Sequence, residues 1–207
     1  LSRVAYSGGP RTITITGGVL VSGILSATAI TLTTGQNLTF IVGTGFRFTV
    51  AQTVSLFTVA TGTLNLYGNG SDPNSDLINA TTAVTARLFA TTTATANVNT
   101  KGRMSVGLGT HSLVILAGGT WVHEHAGVTV FATTTATAKL ISASGTNVTS
   151  VTWTGDVSSS CPASTTGVVV WSATNSTINW TGDIYSTVAL GAGALLYISL
   201  GVVTHTG

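Results

Sequence analysis

The sequence predicts an all-β protein, and more specifically a right-handed parallel β-helix, or β-solenoid, with irregular coils. Two phrases recur in it. LFATTTATANV (88–98) returns 42 positions later as VFATTTATAKL (130–140), and VTWTGDV (151–157) returns 27 positions later as INWTGDI (178–184). Threonine alternating with apolar residues between glycines is the pattern of β-strands. Its repetition within one chain indicates coils that stack on one another.

Alternating runs follow one another along the chain, with breaks centred on glycine between them. They begin with RTITIT (11–16) and end with LLYISLGVV (195–203). In a stack of coils, Phe89 is expected near Phe131 and Trp153 near Trp180, so that aromatic side chains form an internal ladder. We expect a single domain over 1–207, divided into coils near 12–35, 36–62, 63–102, 103–145, 146–176 and 177–207.

A β-sandwich of pilin-like or jelly-roll type is the alternative fold, because antiparallel hairpins with glycine turns give the same local pattern. Sandwich strands usually alternate apolar residues with charged ones, whereas the outward positions here are Thr and Ser. That difference favours the β-helix.

Charged residues are scarce in this chain. Only 7 Lys or Arg and 5 Asp or Glu occur among 207 residues, while 43% of the residues are hydrophobic. An average soluble domain has about 25% charged residues, and a disordered chain is polar and highly charged. The net charge of +2 is not gathered into a basic run, which argues against nucleic-acid binding. A surface this poor in charge needs hydroxyl groups, glycans or other subunits to cover it.

Residues 184–203 are uncharged and long enough to cross a bilayer, but Gly, Ser and Thr interrupt them. We therefore expect strand, turn and strand there, and no membrane span. The sequence starts at Leu1 rather than Met, and its low charge and high Thr content fit an exported protein. We expect an extracellular or cell-surface location, and the lone Cys161 allows no intrachain disulfide.

Several asparagines lie in N-x-Ser/Thr sequons, which can carry glycans if the chain is exported by a cell that glycosylates. The six candidate glycosylation sites are Asn37, Asn69, Asn79, Asn147, Asn175 and Asn179.

One acidic loop offers a weak calcium site. Asp72, Asn74 and Asp76 place oxygen-bearing side chains at alternate positions, as the first three ligands of a calcium loop do. Leu77 and Ala83 stand where such a loop carries Gly and Glu, so a turn capped by its own Asp and Asn side chains is the alternative. Apart from this Ca²⁺ candidate, the sequence predicts no cofactor.

His123 and His125 share one face of a predicted strand, about 7 Å apart, as two ligands of a zinc or copper site could. A third ligand, from His111 or His205, would be needed. We interpret the pair instead as exposed polar residues beside a turn.

Alternating threonines form three short rows. Stacked in a solenoid, such rows would give a flat hydroxyl grid like that of ice-binding β-solenoids, although the high β-propensity of Thr alone also explains them. The rows are Thr12, Thr14 and Thr16; Thr91, Thr93 and Thr95; and Thr133, Thr135 and Thr137.

Asp156 and Asp183 follow matching Trp-Thr-Gly triplets and would stack in adjacent coils. A close carboxylate pair can do acid–base chemistry, which gives the hypothesis of a phage-tailspike-like glycan-cleaving enzyme. Turn residues following Gly155 and Gly182 are the preferred interpretation, and we expect no enzymatic activity.

These observations together predict a structural protein. We expect a subunit of an extracellular filament, fibre or surface layer, or an adhesin, that self-assembles through uncharged β surfaces. The strands at 11–16 and 195–203 are the predicted contacts between subunits. A carbohydrate- or ice-binding β-solenoid module is the alternative function, with glycans as partners.

Overall fold

The computed structural model describes twelve parts of the chain. They are residues 11–15, 19–21, 30–33, 35–42, 48–50, 55–68, 76–80, 87–108, 112–133, 139–160, 169–187 and 195–207. Within these parts, all regular secondary structure is β-strand and none is helix.

The strands are short at first and longer toward the C-terminus. They are β1 (Arg11–Ile15), β2 (Val19–Val21), β3 (Ile30–Leu32), β4 (Asn37–Val42), β5 (Phe48–Val50), β6 (Ser55–Val59), β7 (Gly62–Tyr67), β8 (Asp76–Ala80), β9 (Arg87–Thr91), β10 (Ala96–Lys101), β11 (Arg103–Leu108), β12 (Val114–Leu116), β13 (Gly119–Thr133), β14 (Ile141–Ala143), β15 (Thr149–Ser159), β16 (Val170–Thr181), β17 (Ile184–Ser186) and β18 (Leu196–Thr206).

Each strand pairs with a strand one coil away, which sorts the strands into three faces. Face A stacks β1, β4, β7, β10, and residues 119–124, 149–154, 176–181 and 201–206 of β13, β15, β16 and β18. Face B stacks β2, β5, β8, β11, residues 128–133 and 156–159 of β13 and β15, and β17. Face C stacks β3, β6, β9, β12, β14, and residues 170–172 and 196–198 of β16 and β18.

All of these pairings are parallel, because the chain passes through faces A, B and C in turn and then starts again on face A. The predicted β-solenoid is therefore confirmed, and the alternative β-sandwich, which needs antiparallel pairs, is wrong. No helix in the described parts is long and apolar enough to cross a membrane. The strands expected at the two ends of residues 184–203 are present as β17 and β18.

Coil length follows from the register of face A. Thr149 pairs with Ser176, so this coil has the same length as the spacing of the repeated Trp-Thr-Gly-Asp motif. Among the described pairings of face A, the shortest coil joins Asn97 to Thr120, and the longest joins Gly62 to Ala96. The coils predicted over 63–102 and 103–145 are wrong, because β7, β10 and β13 each begin a coil and the region holds three coils rather than two.

The repeated FATTTATA phrase is not a structural repeat. Phe89 lies on face C, where it pairs with Phe57 and Val114. Phe131 lies on face B, where it pairs with Val106 and Ser159. The predicted contact between Phe89 and Phe131 is therefore wrong. The first phrase leaves β9 at Thr91, passes through the turn at 92–95 and enters β10, whereas the second begins within β13, so the same letters serve in different local structures.

Face A contributes two inward columns of side chains to the core. One column consists of Leu38, Leu64, Val98, Trp121, Val151 and Ile178, and the other of Phe40, Leu66, Thr100, His123, Trp153 and Trp180. All twelve side chains are buried. Burying each large apolar member contributes about 1.5–3 kcal/mol to the free energy of unfolding.

Aromatic rings make the densest part of this core. Trp153 and Trp180 stack with their ring centroids 4.7 Å apart and their planes 11° from parallel, so the predicted contact between them is confirmed. Trp121 meets Trp153 edge-on at 5.5 Å and meets Phe89 of face C edge-on at 5.2 Å. Edge-to-face and offset contacts of this kind are the favoured aromatic geometries, and they join face C to face A.

The corner where the chain enters face A is built from small residues. The positions in register there are Gly62, Ala96, Gly119, Thr149, Ser176 and Gly201. At Gly62, where φ is +96°, an added Cβ would overlap the carbonyl oxygen of Gln36 in the coil before. Nearby Gly35 also has a positive φ, +68°, but a Cβ there would meet nothing within 4 Å.

Replacing these two glycines by alanine separates backbone strain from crowding between coils. Both substitutions cost about 1–2 kcal/mol for a side chain in the left-handed region. Gly62→Ala also forces the Gln36 backbone away, for which overpacking adds about 1–3 kcal/mol. We expect Gly62→Ala to lower the free energy of unfolding in urea by more than Gly35→Ala does. Equal losses in the two variants would contradict the close approach of the coils.

Candidate functional site

The last coil of the stack exposes a position that is buried in the coils beneath it. Val203 follows Val151 and Ile178 in the same inward column of face A. Val151 and Ile178 are each 1% exposed, whereas Val203 is 39% exposed. The difference arises because residues 201–206 pair with β16 on one side and, among the described residues, have no strand on the other.

Apolar side chains surround Val203 on β18. Leu200 is 60% exposed and Val202 is 61% exposed, and Tyr197 is exposed as well. Residues 195–207 contain no Lys, Arg, Asp or Glu. Exposed strand edges are commonly protected from further pairing by charged residues, lysine above all. We call this surface, formed by β18, the terminal coil surface.

The terminal coil also contains a third form of the Trp-Thr-Gly motif, which was not predicted from the sequence. Val203, Thr204, His205 and Thr206 are in register with Ile178, Asn179, Trp180 and Thr181. His205 therefore occupies the column position of Trp180, and its Nε2 lies 2.9 Å from the carbonyl oxygen of Gly182. The available signal was the run Thr-His-Thr-Gly (204–207), which resembles Asn-Trp-Thr-Gly (179–182) and follows it at about one coil length.

The other predicted contact strand, 11–16, is described over Arg11–Ile15 as β1, which pairs with β4 at the opposite end of face A. Thr16 lies outside the described residues.

His123 and His125 share a face, but the interpretation of them as exposed residues is wrong. His123 is fully buried and His125 is 8% exposed, because this face of β13 points into the solenoid. The Trp121 indole N–H donates to Thr100 Oγ1 at 2.9 Å. Thr100 Oγ1 in turn shares a hydrogen bond with His123 Nδ1 at 2.8 Å.

The His123 ring is held as a neutral member of the aromatic column. Its centroid is 3.9 Å from that of Trp153, and its Nε2 is buried with no hydrogen-bond partner among the described residues. Burial in these surroundings, reinforced by neighbouring His125, lowers the pKa of His123 to about 3. Desolvation has this effect because it disfavours the charged form of the ring.

The described histidines do not gather into the predicted alternative metal site. His205 is separated from His123 in the same column by Trp153 and Trp180, and His111 lies outside the described residues. In the parts of the chain that the structure describes, no three His, Cys, Asp or Glu side chains converge on one point.

Asp156 and Asp183 stand in equivalent positions of adjacent coils, next to the paired residues Val157 and Ile184. Asp156 Oδ1 accepts a hydrogen bond from the backbone N–H of Asp183 at 2.8 Å. The backbone carbonyl of Asp183 accepts from the N–H of Val157, also at 2.8 Å. The carboxylate of Asp156 thus holds one turn against the next, as the turn interpretation expects.

The calcium candidate is only partly within the described structure. Asp72 and Asn74 lie outside the described residues, and Asp76 is the first residue of β8 with its side chain undescribed. A calcium site in this loop therefore stays a prediction.

Among the sequons, Asn37, Asn175 and Asn179 are exposed, whereas Asn147 is half-buried. Asn147 Nδ2 donates to the carbonyl oxygen of Ala117 at 3.1 Å, so its amide has a structural use. Asn79 lies in β8 with its side chain undescribed, and Asn69 lies outside the described residues. Glycosylation at any of them stays a prediction.

Only the row of Thr91, Thr93 and Thr95 has described side chains, and these three do not lie together on one flat exposed face. Thr91 is buried and donates its hydroxyl to the carbonyl of Gly118. Thr93 and Thr95 lie in the turn that leads from β9 to β10, and only Thr95 is exposed. In the other two rows, Thr12, Thr14 and Thr133 have undescribed side chains, and Thr16, Thr135 and Thr137 lie outside the described residues, as does Cys161. A threonine grid formed by the other two rows stays a prediction.

Comparison of the chain with protein-family models, with curated proteins and with solved structures finds no match. What the chain does must therefore be argued from its own surfaces and side chains.

Burial of a neutral His123 makes the stability of the protein depend on pH. The lowered pKa means that the unfolded state takes up a proton below pH 6.5, while the native state does so only near pH 3. The contribution of His123 to the free energy of unfolding is therefore complete above about pH 6.5. Below that pH the free energy of unfolding decreases by about 1.4 kcal/mol per pH unit. We expect a loss of about 2–3 kcal/mol in the free energy of unfolding between pH 7 and pH 4.5.

Two single substitutions test whether His123 causes this loss of stability. His123→Phe keeps a ring against Trp153 and removes the titrating group, so its urea unfolding should lose less stability on acidification. His205→Phe is the matched control at an exposed position and should keep the dependence of the natural protein. An identical pH dependence in all three proteins would show that His123 is not the responsible group.

Proposed function

We propose that this protein is a structural β-solenoid subunit of an extracellular filament, fibre or surface layer, and that copies of it stack end to end through the terminal coil surface. The observation that carries the proposal is the exposure of Val203, 39% against 1% for the equivalent Val151 and Ile178. A second coil stacked on residues 201–206 would return Val203 to the burial of its column.

This surface fits another coil of the same pattern, and we infer that a second copy of the chain supplies that coil. The terminal strand keeps the register of β16 and ends at Thr206 before Gly207, as β16 ends at Thr181 before Gly182, so it presents to solvent what each internal coil presents to the next. A strand that is paired with one neighbour still has backbone N–H and C=O groups along its other edge that a second parallel strand can bind. Any coil of this solenoid has the spacing and the strand direction needed to continue the ladder.

Head-to-tail stacking would make an open polymer. β1 lies at the opposite end of face A from residues 201–206, and both belong to the same stack of strands. A contact between two different ends of a molecule is heterologous, and it produces a filament unless the rotation between copies closes a ring.

The low charge of the chain supports assembly. With 6% of its residues charged, little electrostatic repulsion opposes contact between copies. The uncharged β18 lacks the lysine that commonly blocks an edge strand. Exposure of the sequon residues Asn37, Asn175 and Asn179 fits an extracellular location, where glycans would cover part of the lateral surface.

Assembly is tested by sedimentation velocity and negative-stain electron microscopy of the full chain over a range of concentrations. We expect the natural protein to form polymers and Val203→Lys to remain monomeric or to assemble at least about tenfold more weakly, because a charge would be buried in the contact. Leu200→Lys, at a side chain 60% exposed, should weaken assembly too, and its exposure makes it harmless to the fold.

Val148→Lys is the matched control. Val148 is 57% exposed and lies between β14 and β15, away from the terminal coil. This variant should assemble like the natural protein, and circular dichroism should show that all variants are folded. A natural protein that stays monomeric at high concentration, or a control that loses assembly as fully as Val203→Lys, would overturn the proposal.

A further inference from the structure

A groove of about 520 Å³ lies on the outer side of face A, several coils away from the terminal coil surface. This volume is within the range of about 300–1,000 Å³ that is typical of small-molecule sites. Tyr67, Lys101 and Glu124 stand side by side along it, because Lys101 pairs with Tyr67 on one side and with Glu124 on the other. Ile41, Asn99 and Val122 also line this groove.

A ladder of side-chain hydrogen bonds fixes the polar part of this groove. Asn65 Nδ2 donates to Thr39 Oγ1 at 3.0 Å, which leaves Asn65 Oδ1 as an acceptor. Asn99 Nδ2 donates to that oxygen at 2.8 Å, and the Tyr67 hydroxyl donates to it at 3.3 Å. The amide of Asn99 and the ring of Tyr67 are therefore held in place before any ligand arrives, which lowers the cost of ordering them on binding.

The groove also contains an ion pair, in a chain with few charges. Lys101 Nζ and Glu124 Oε2 are 3.6 Å apart, with side chains 56% and 58% exposed. An exposed pair of this kind contributes only about 0–1 kcal/mol to stability. Its ammonium donors and carboxylate acceptors remain accessible to a ligand, while its net charge is zero.

We propose that this groove binds a neutral oligosaccharide. A half-buried tyrosine ring offers an apolar face to the C–H side of a sugar, with Ile41 and Val122 as further apolar contacts. Asn99, Lys101 and Glu124 supply the amide, donor and acceptor groups that sugar hydroxyls need. The absence of net charge in the groove disfavours a polyanionic ligand, for which several basic side chains would be needed.

This inference goes beyond end-to-end assembly and does not depend on it. The groove is lateral and is lined by residues between Ile41 and Glu124, whereas stacking uses residues 196–206 of one copy and the β1 end of the next. A polymer of stacked copies would repeat the groove along its length, so that weak individual sites would add up to strong binding of a long glycan.

The test is isothermal titration calorimetry of the full chain with three neutral probes: cellotriose, maltotriose and N,N′,N″-triacetylchitotriose. We expect at least one of them to bind with a Kd of about 1 mM or tighter. Tyr67→Ala should weaken that binding at least about tenfold. Glu124→Gln, at an exposed side chain that the fold does not need, should weaken it about threefold to tenfold by removing an acceptor.

Tyr185→Ala is the matched control, because Tyr185 is an exposed tyrosine of β17 on face B, and it should bind like the natural protein. Repeating the titration with Val203→Lys separates glycan binding from assembly. The proposal is overturned if none of the three probes binds, if Tyr185→Ala loses binding as Tyr67→Ala does, or if trigalacturonate binds and the neutral probes do not.

Discussion

Parallel pairing of face A in strict register is the constraint on which the rest of the structure depends. Because each coil returns to the same place, a side chain at one position of a strand lies over its counterpart in the coil before. The columns that contain Ile178 and Trp180 are the result. Each coil buries its apolar residues against neighbouring coils as well as within itself, so stability is distributed along the stack. A coil with only one described neighbour, such as that of residues 201–206, exposes a column position that the other coils bury.

This constraint also explains residues that look out of place for a core. The corner into face A brings backbones so close that Gly62 has no room for a side chain. Where the same corner carries hydroxyl residues, they bond one another: Thr149 Oγ1 lies 2.7 Å from Ser176 Oγ, which lies 2.6 Å from Ser172 Oγ. His123 is buried because its position belongs to the aromatic column, and Thr100 provides the hydrogen bond that a buried polar ring needs.

The same architecture separates two surfaces that can act independently. Among the described residues, the coil of residues 201–206 has an open strand edge and an interrupted column, which suit another coil. The outer side of face A offers rows of side chains at strand spacing, one of which contains Tyr67, Lys101 and Glu124. A polymer built through its ends would leave these lateral rows accessible, so that assembly and glycan binding could operate in one particle.

The features that the sequence alone predicts are those that depend on the local pattern of side chains. Alternating Thr and apolar residues between glycines determined the strands. The spacing of the repeated Trp-Thr-Gly-Asp motif determined the length of one coil and its Trp153–Trp180 stack. The reason is that the same residues occur at the same positions of two adjacent coils, so that they stack in register. The longer FATTTATA phrase misled, since its first copy leaves face C through a turn at 92–95 while its second copy begins on face B. Only the tertiary structure decided which face each strand joins, that His123 and His125 point inward, and that Lys101 lies between Tyr67 and Glu124. These outcomes depend on the lengths of the intervening coils, which local side-chain pattern does not specify.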